Sequence, residues 1–389
     1  MERLLLKNVL HEGRTRNILI EDKCFKDLDA PEEVAGAKVL DATGTAILPA
    51  LYNTHTHAAM TLLRGYADDM PLHAWLNDYI WPFEAKLTPA DIRRGSGIAA
   101  REMLESGSVF FNDMYFDIEE TIDVVNASGM RAAIGITVME NHSKVVTEEK
   151  KEFIRQWNDP TGGRIQLVMA PHAIYTVGET KLRRCAEFAR GNGMLLHIHL
   201  SETATEVENC FKEHGTTPVR YLDRIGFLGP DVIAAHCVHV DDEEAGILAE
   251  RGVTVSHCPC SNMKLGSGIF PYARLIKAGC RITLGTDGAS SGNNLDLREA
   301  MKFAALLAKA GGDPELLPAE EVFRWATRSG AEAFGLAAGA IAEGFLADCL
   351  LIDLSDIRMQ PCYNLVSNFV YAADSRCIKH VLCDGRIVL

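Results

Sequence analysis

The sequence has no apolar run long enough to form a membrane-spanning helix. Such a helix needs roughly 20 consecutive apolar residues, and no stretch of the chain approaches that length. The first residues, MERLLLKNVLHEGRTRN, also lack the extended apolar core and the small-residue cleavage site of a secretory signal. We therefore expect a cytoplasmic protein with no membrane partner.

Basic residues are scarce relative to acidic ones. There are 39 Lys and Arg against 53 Asp and Glu, which gives a formal net charge of −14. Because nucleic-acid phosphates are bound by a basic face, we expect no nucleic-acid partner. The 389 residues, 47% of them hydrophobic, suffice for one large catalytic domain with a smaller companion.

The sequence also lacks a disulfide framework. Its 11 cysteines are odd in number and are scattered through apolar segments such as IAAHCVHV and LADCLLID. This distribution favours reduced thiols in a protein core. The CPC motif at Cys258 and Cys260 does not have the spacing of a zinc knuckle or a thioredoxin-like site, so we interpret it as structural.

Eight apolar strand candidates alternate with helical segments through the middle of the chain. The strands include SVFFNDM, RAAIGITV and RIQLVMAPHA, and several helical segments end in Gly, which favours the left-handed stop conformation. This alternation predicts an α/β fold, a (β/α)8 TIM barrel over residues 50–339. A doubly wound open sheet is the alternative. The two chain ends instead contain short strand-like runs.

Acidic and imidazole side chains recur at the ends of the strand candidates. In a parallel barrel these ends form one rim, where the active site lies. A buried charged or imidazole group without a partner is costly, so a set of them from several strands implies a common ligand. The residues are His55, His57, His172, His199, Glu202, His236 and Asp287.

The spacing of these residues favours a metal. Side chains alternate between the faces of a strand, so His55 and His57 point the same way. Neutral imidazoles suit a borderline-soft divalent ion such as zinc, and a carboxylate adds an anionic oxygen ligand. A single H-x-H pair can equally cap a strand as satisfied polar residues. The joint order H-x-H, His, His, Asp across separate strand ends predicts a divalent metal site.

Five motifs also carry a family resemblance. NTHTH, HIHLSE, AAHCVHVDD, VSHCPCSNMKLGSG and LGTDGASS resemble the motifs of the amidohydrolase superfamily, and especially of its methylthioadenosine/S-adenosylhomocysteine deaminases and the related chlorohydrolases. The likeness covers nearly the whole chain, and SNMKLGSG and LGTDGAS are its specific parts. It implies an aminohydrolase that forms homo-oligomers, with a small β-sandwich domain built from residues 1–49 and 340–389 together.

The resemblance implies a specific ligand set. One divalent ion would be bound by His55, His57, His199 and Asp287; zinc is expected, and iron(II) and manganese are the alternatives. A single ion is expected because LVMAPHAIYTV contains no Lys that could bridge a second one. His197 is interpreted as a supporting core residue.

The resemblance assigns catalysis to three residues. Asp287 would accept a proton from water, and Glu202 would protonate N1 of an adenine ring and then the departing ammonia. His236 would orient the nucleophile, which is a hydroxide supplied by the metal. This hydroxide would attack C6 of the ring. His239, in the same segment as His236, is interpreted as structural.

Substrate contacts are implied in the same way. Trp75 would pack on the substrate and Glu84 would bind the ribose hydroxyls. His172, Glu202 and Asp287 would contact the reacting ring. Without the resemblance, Trp75 fits the apolar stripe of an amphipathic helix, and Glu84 fits a solvated neighbour.

The chain departs from the family pattern after the third strand. The adenosylhomocysteine deaminases have arginines there that can contact the amino-acid carboxylate of the substrate. Here Arg131 lies at the start of the strand, away from the rim, and Met139, Glu140, Asn141 and His142 follow it. The expected purine nucleoside is therefore methylthioadenosine, adenosine or 5′-deoxyadenosine, with S-adenosylhomocysteine disfavoured.

Two other functions are alternatives. A deaminase or chlorohydrolase of guanine, a pterin or a triazine would share the fold and the metal residues. Glu202 and His236 favour deamination of a ring with an adjacent nitrogen to protonate, and Glu84 favours a nucleoside. A non-catalytic binding protein built on this barrel would lack the metal ligands that this sequence contains.

Overall fold

The computed structural model describes residues 2–140, 148–159 and 163–389, and in these ranges sixteen strands divide between two sheets. Asn141 and His142 lie outside the described residues. The strands are β1 Arg3–His11, β2 Arg14–Glu21, β3 Cys24–Asp27, β4 Lys38–Asp41, β5 Thr45–Pro49, β6 Leu51–Thr56, β7 Ser108–Tyr115, β8 Arg131–Val138, β9 Ile165–Pro171, β10 Leu196–Leu200, β11 Val232–His236, β12 Thr254–His257, β13 Arg281–Leu284, β14 Cys349–Asp353, β15 Ile378–Cys383 and β16 Arg386–Ile387.

Strands β6 to β13 form a parallel barrel in sequence order. Every residue of β6, β7 and β9 is buried, because helices cover the outer face while side chains fill the interior. The first and last strands meet: Thr54 Oγ1 donates to the Leu284 carbonyl at 2.9 Å, and the Asp287 N–H donates to the His55 carbonyl at 3.0 Å. The predicted TIM barrel is confirmed, and the open sheet is excluded.

The helices lie between the barrel strands and after the last of them. Local signals set several boundaries: Thr88 and Asp91 form a capping box at one helix start, and Gly129 ends another at φ +79°. The helices are α1 Leu72–Ala74, α2 Trp81–Glu84, α3 Pro89–Glu105, α4 Ile118–Ser128, α5 Glu148–Trp157, α6 Glu179–Gly191, α7 Ala204–His214, α8 Pro218–Arg224, α9 Asp242–Glu250, α10 Pro259–Lys264, α11 Tyr272–Ala278, α12 Leu297–Lys309, α13 Ala319–Ala326, α14 Arg328–Ala333 and α15 Leu365–Tyr371. A π-helical turn, Trp75–Ile80, joins α1 to α2, and 3-10 turns span Ala58–Leu63, Ile357–Met359 and Ser375–Cys377.

The two chain ends build the second sheet together. One edge of β1 pairs with β2, while its other edge pairs first with β4 and then, at Leu10, with β5, so the sheet forks there. Strand β5 continues to β14, and β14 to β15. Residues from both ends, including Leu6, Ile18, Phe25 and Leu351, form a separate hydrophobic core.

One strand candidate divides between the two sheets. The run ILPALYNTH is interrupted at Ala50, whose N–H donates to the Asp348 carbonyl at 3.1 Å. The part before Ala50 is β5 of the terminal sheet, and the part after it is β6 of the barrel. The sequence pattern does not reveal this change of sheet, because both strands are buried and the apolar run continues from one into the other. The domain boundary at residues 49 and 50 stays a prediction.

Within the described ranges, the helices are all too short or too polar to span a lipid bilayer.

Candidate active site

The carboxyl ends of the barrel strands hold the titratable side chains. His55 lies in β6, His199 lies in β10, and His236 ends β11. Non-glycine residues adopt left-handed backbone conformations at three of these strand ends: Ser201 at φ +50°, His236 at +72° and Asp287 at +63°. Such strain is common where a backbone is held in place for function.

The four side chains predicted to bind a metal bring potential ligand atoms close to one another. His57 Nε2 lies 3.3 Å from Asp287 Oδ1 and 3.3 Å from His199 Nε2, and His55 Nε2 lies 3.4 Å from Asp287 Oδ1. Ligand atoms around a tetrahedral ion with bonds of about 2.0–2.1 Å are about 3.3–3.4 Å apart. These three separations therefore match the ligand spacing of a tetrahedral site for a divalent ion.

The opposite ring nitrogens fix the direction of these imidazoles. His57 Nδ1 donates to the Met114 carbonyl, and His199 Nδ1 donates to the His172 carbonyl, each at 2.7 Å. In its neutral form, each ring therefore has a lone pair on Nε2 for a ligand. His55 Nε2 is buried without a hydrogen-bond partner in the described part of the chain, which a bound cation would explain.

Burial and charge prepare these groups for a cation. Burial lowers the pKa of His55 to about 4 and that of His199 well below its usual value, so both rings are neutral, the form that binds metal. Burial opposes the charge of Asp287, but contacts with His55 and His57 hold its pKa well below the usual range. Although burial also acts on His57, Asp287 raises the pKa of His57 to about 9. The space between these atoms favours positive charge.

Glu202 and His236 face each other beside this cluster. Glu202 Oε2 lies 3.8 Å from His236 Nε2, and both side chains are buried. Burial raises the pKa of Glu202, which favours the protonated acid. His236 also lies near the donor atoms, because its ring nitrogen is within 4.8 Å of those of His55 and His199.

A pocket opens from this cluster and contains all five proposed substrate residues, Trp75, Glu84, His172, Glu202 and Asp287. The indole N–H of Trp75 donates to the Ala67 carbonyl at 3.1 Å, which fixes the ring in the wall. Burial raises the pKa of Glu84 to about 7, against the opposing effects of Tyr115 and His57. A half-buried acid in the pocket wall differs from the solvated neighbour that an amphipathic-helix interpretation predicts.

The sequence motifs did not single out several pocket residues. Tyr115 ends β7 and Thr137 lies near the end of β8, so their positions at strand ends could have indicated them. Tyr175 and Leu265 come from loops and carry no such signal.

Two histidines lie outside the donor cluster. His197 Nε2 lies 2.9 Å from His55 Nδ1, and its other nitrogen lies 3.0 Å from Asn112 Nδ2, so it supports a proposed ligand from behind. His239 Nε2 donates to the Ser267 carbonyl at 2.6 Å. Arg131 is the first residue of β8 and contacts Asp348 at the opposite end of the barrel.

The sequence model of the Amidohydrolase family matches residues 46–388. This chain belongs to the amidohydrolase family. The assignment agrees with the donor cluster at the barrel rim and confirms the family that the motifs predicted.

Relatives of this amidohydrolase match it over nearly their full length. A 5′-deoxyadenosine deaminase of Methanothermobacter thermautotrophicus is 44% identical over 382 residues, covering 97% of this chain and 90% of the relative. A 5-methylthioadenosine/S-adenosylhomocysteine deaminase of Syntrophomonas wolfei is 43% identical, covering 96% and 88%. Among solved structures, a zinc-bound adenosine deaminase from Xanthomonas campestris has a TM-score of 0.92 at 33% identity, covering 99% of this amidohydrolase and 92% of that chain.

Proposed function

We propose that this amidohydrolase is a hydrolytic deaminase of adenine nucleosides that converts the exocyclic amine at C6 to a carbonyl and releases ammonia. The observation that carries the proposal is that one pocket contains the buried Glu202, whose pKa burial raises, together with His57, His199 and Asp287, three of the four proposed metal ligands. Deamination needs both a nucleophile and an acid beside a ring nitrogen. The names of the relatives support the same reaction.

Four residues would hold the ion, which we propose is zinc; iron(II) and manganese also suit this donor set. They are His55, His57, His199 and Asp287. The distances of 3.3 to 3.4 Å among their donor atoms support the assignment. Bound there, a divalent ion supplies water whose pKa is lowered from about 15.7 towards 7.

The side chains around the ion would move the protons. Asp287 accepts the first proton from water, while Glu202 donates its proton to N1 of the adenine ring, so that negative charge does not build on the heterocycle. As the C6 carbonyl forms, Glu202 takes the remaining proton of the C6 hydroxyl and passes it to the departing amine, which leaves as ammonia. The proton on Asp287 then returns to Glu202 and restores the starting state. His236 hydrogen-bonds to the attacking oxygen through Nε2. The separation of 3.8 Å between Glu202 Oε2 and His236 Nε2 leaves both groups within reach of one reacting carbon.

The remaining pocket residues would orient the nucleoside. Glu84 accepts hydrogen bonds from the vicinal ribose hydroxyls, Trp75 packs on the substrate, and His172 contacts the ring. The pocket walls made by these residues support this placement.

A larger chamber supports a preference among 5′ substituents. It has a volume of about 680 Å³ and shares Glu84 and Tyr175 with the pocket. Its charged lining residues within the described ranges are the carboxylates of Glu84, Asp117, Glu140 and Glu213. Glu140 is paired with Lys181 at 3.1 Å, but none of the described lining residues is a cation that could pair with a substrate carboxylate, which would enter this chamber beside the other carboxylates. We therefore propose 5′-deoxyadenosine, methylthioadenosine and adenosine as substrates, ahead of S-adenosylhomocysteine.

A steady-state screen of the zinc-loaded protein tests the proposal. Ammonia release and the absorbance change of the purine band are measured with the four nucleosides and with guanine. We expect turnover of the three uncharged nucleosides and a kcat/KM at least about tenfold lower for S-adenosylhomocysteine. Conversion of guanine without any adenine nucleoside would overturn the reaction, whereas equal use of S-adenosylhomocysteine would overturn only the 5′ preference.

A further inference from the structure

Residues 258–267, CPCSNMKLGS, form a compact loop between β12 and α11 that contains α10; we call it the 258–267 segment. Its polar side chains reach three different strand ends. Ser261, Asn262 and Ser267 are all buried, with 0%, 2% and 5% of their surfaces exposed. Each contacts a different one of the three proposed catalytic residues, Asp287, His236 and Glu202.

Ser261 holds one oxygen of Asp287. Its hydroxyl donates to Asp287 Oδ2 at 2.5 Å, and Ser291 Oγ donates to the same oxygen at 3.1 Å. The other oxygen, Oδ1, accepts from the Gly288 N–H at 2.8 Å and faces His55 and His57. Ser261 therefore determines which carboxylate oxygen is directed at the imidazole cluster.

Asn262 sets the proton position on His236. Its Oδ1 accepts from His236 Nδ1 at 2.8 Å. A neutral imidazole carries one proton, so an Nδ1–H leaves a lone pair on Nε2, the nitrogen that lies 3.8 Å from Glu202. The proposed role of His236 towards the attacking oxygen needs that lone pair.

Ser267 reaches the third residue. Its hydroxyl donates to Glu202 Oε1 at 3.3 Å, and its carbonyl is held by His239 Nε2 at 2.6 Å. The loop is closed by the Ser267 N–H, which donates to the Asn262 carbonyl at 2.9 Å. The next residue, Gly268, has φ +133°, and a Cβ there would lie 2.9 Å from the Val238 side chain. The loop therefore needs glycine at this point.

We infer that the 258–267 segment is a positioning element that aligns the three proposed catalytic residues with one another. Ser261 and Asn262 are its main positioning residues, for Asp287 and His236 respectively. Because they are adjacent in α10, a displacement of this short helix disturbs both partners at once. The inference rests on the proposed function for the roles of Asp287, Glu202 and His236.

Substitutions at the two main residues separate their effects. Asn262→Leu removes the acceptor at similar volume, and Asn262→Asp keeps it. Ser261→Ala removes the hydroxyl, and Ser96→Ala is its matched control, because Ser96 is equally buried but its Oγ lies 3.1 Å from Thr121 Oγ1, between α3 and α4. The readouts are zinc affinity by chelator competition, the ¹⁵N shifts of the His236 ring, melting temperature, kcat and KM.

For Asn262→Leu we expect loss of the Nδ1–H tautomer and a fall in kcat of about 10- to 100-fold, with KM and zinc affinity little changed. Asn262→Asp should restore the tautomer and most of kcat. For Ser261→Ala we expect zinc affinity to fall by about 10- to 100-fold, while Ser96→Ala retains it.

The inference is overturned by a native tautomer and native kcat in Asn262→Leu, or by equal zinc affinity in the two serine variants. The inference is also overturned if kcat falls only in proportion to the fall in melting temperature, and does so in Ser96→Ala as well as in Asn262→Leu. The tautomer and zinc measurements do not depend on turnover. A wild-type protein that deaminates no adenine nucleoside would thus contradict the proposed function separately.

Discussion

At the scale of single residues, the site depends on which atom of each side chain faces the pocket. His57 and His199 donate through Nδ1 to backbone carbonyls and so present Nε2 to the same point. Glu206 accepts the N–H groups of Ser201 and Glu202 at 2.9 and 2.8 Å, which holds the strained turn that carries Glu202. These contacts determine the direction of each functional group.

Glu202→Gln tests the acid–base role. The amide keeps the size of the side chain but cannot donate and recover a proton, so kcat should fall at least about 10²-fold while zinc binding is retained. Steady-state kinetics and metal analysis measure both effects. Glu187→Gln, at an exposed position in α6, is the control and should behave like the wild type. Near-normal turnover of Glu202→Gln would remove this residue from the mechanism.

At the scale of elements, the donor cluster connects strand ends that are far apart in the chain. His55 belongs to β6, His199 to β10, and Asp287 follows β13. A ligand that binds the folded site and not the unfolded chain raises the free energy of unfolding by RT ln(1 + [L]/Kd). Metal binding should therefore be visible in stability as well as in activity.

Metal removal tests this connection. Chelation should abolish turnover and lower the melting temperature, and added zinc should restore both. Magnesium should restore them poorly, because it prefers oxygen ligands. Differential scanning fluorimetry over a series of zinc concentrations measures the shift. A melting temperature that is independent of zinc in the wild type would contradict a metal site at these strand ends.

The contact between β13 and β6 requires a glycine at residue 285. A Cβ there would lie 2.8 Å from the His55 Cβ and 2.9 Å from the His55 carbonyl oxygen. Gly285→Ala should force the two strand ends apart and weaken zinc binding by at least about tenfold. Gly246→Ala in α9 is the matched control, because its added methyl meets no atom within 4 Å. Equal zinc affinity in the two variants would show that the strands adjust without cost.

Helix α3 shows where local signals are insufficient. Gly95 and Gly97 interrupt its helical pattern, since glycine has low helix propensity. In the structure, a Cβ at Gly95 would lie 2.6 Å from the Ala59 carbonyl oxygen, so the glycine allows α3 to pack closely against the 3-10 turn. The reason for this residue is a neighbour that is remote in sequence.

At the scale of the whole molecule, a buried ionic network joins the barrel to the terminal sheet. Arg131, 1% exposed, contacts Asp348 at 3.3 Å and also pairs with Asp384. The Tyr52 hydroxyl donates to Asp348 at 2.6 Å, and Arg164 pairs with Asp384 at 3.2 Å. The network lies at the end of the barrel opposite the donor cluster, so we assign it to stability.

Arg131→Met should therefore destabilise the protein without changing the metal site. It leaves buried carboxylates short of a partner cation, a loss of about 3–5 kcal/mol in the free energy of unfolding. Denaturant unfolding measures this. Arg93→Met, which breaks the exposed pair with Glu120, should leave stability near the wild-type value. Loss of zinc affinity in folded Arg131→Met would contradict the separation of the two ends.

The sequence by itself determined the barrel, the family and the residue types of the site. These follow from local patterns: apolar strands alternating with helices, and His, Glu and Asp at strand ends. Only the tertiary structure decided where ILPALYNTH passes from one sheet to the other, which ring nitrogens face the donor cluster, and that Ser261 and Asn262 contact Asp287 and His236. Those contacts join residues 26 positions apart, and chain periodicity carries no information about a partner on another strand.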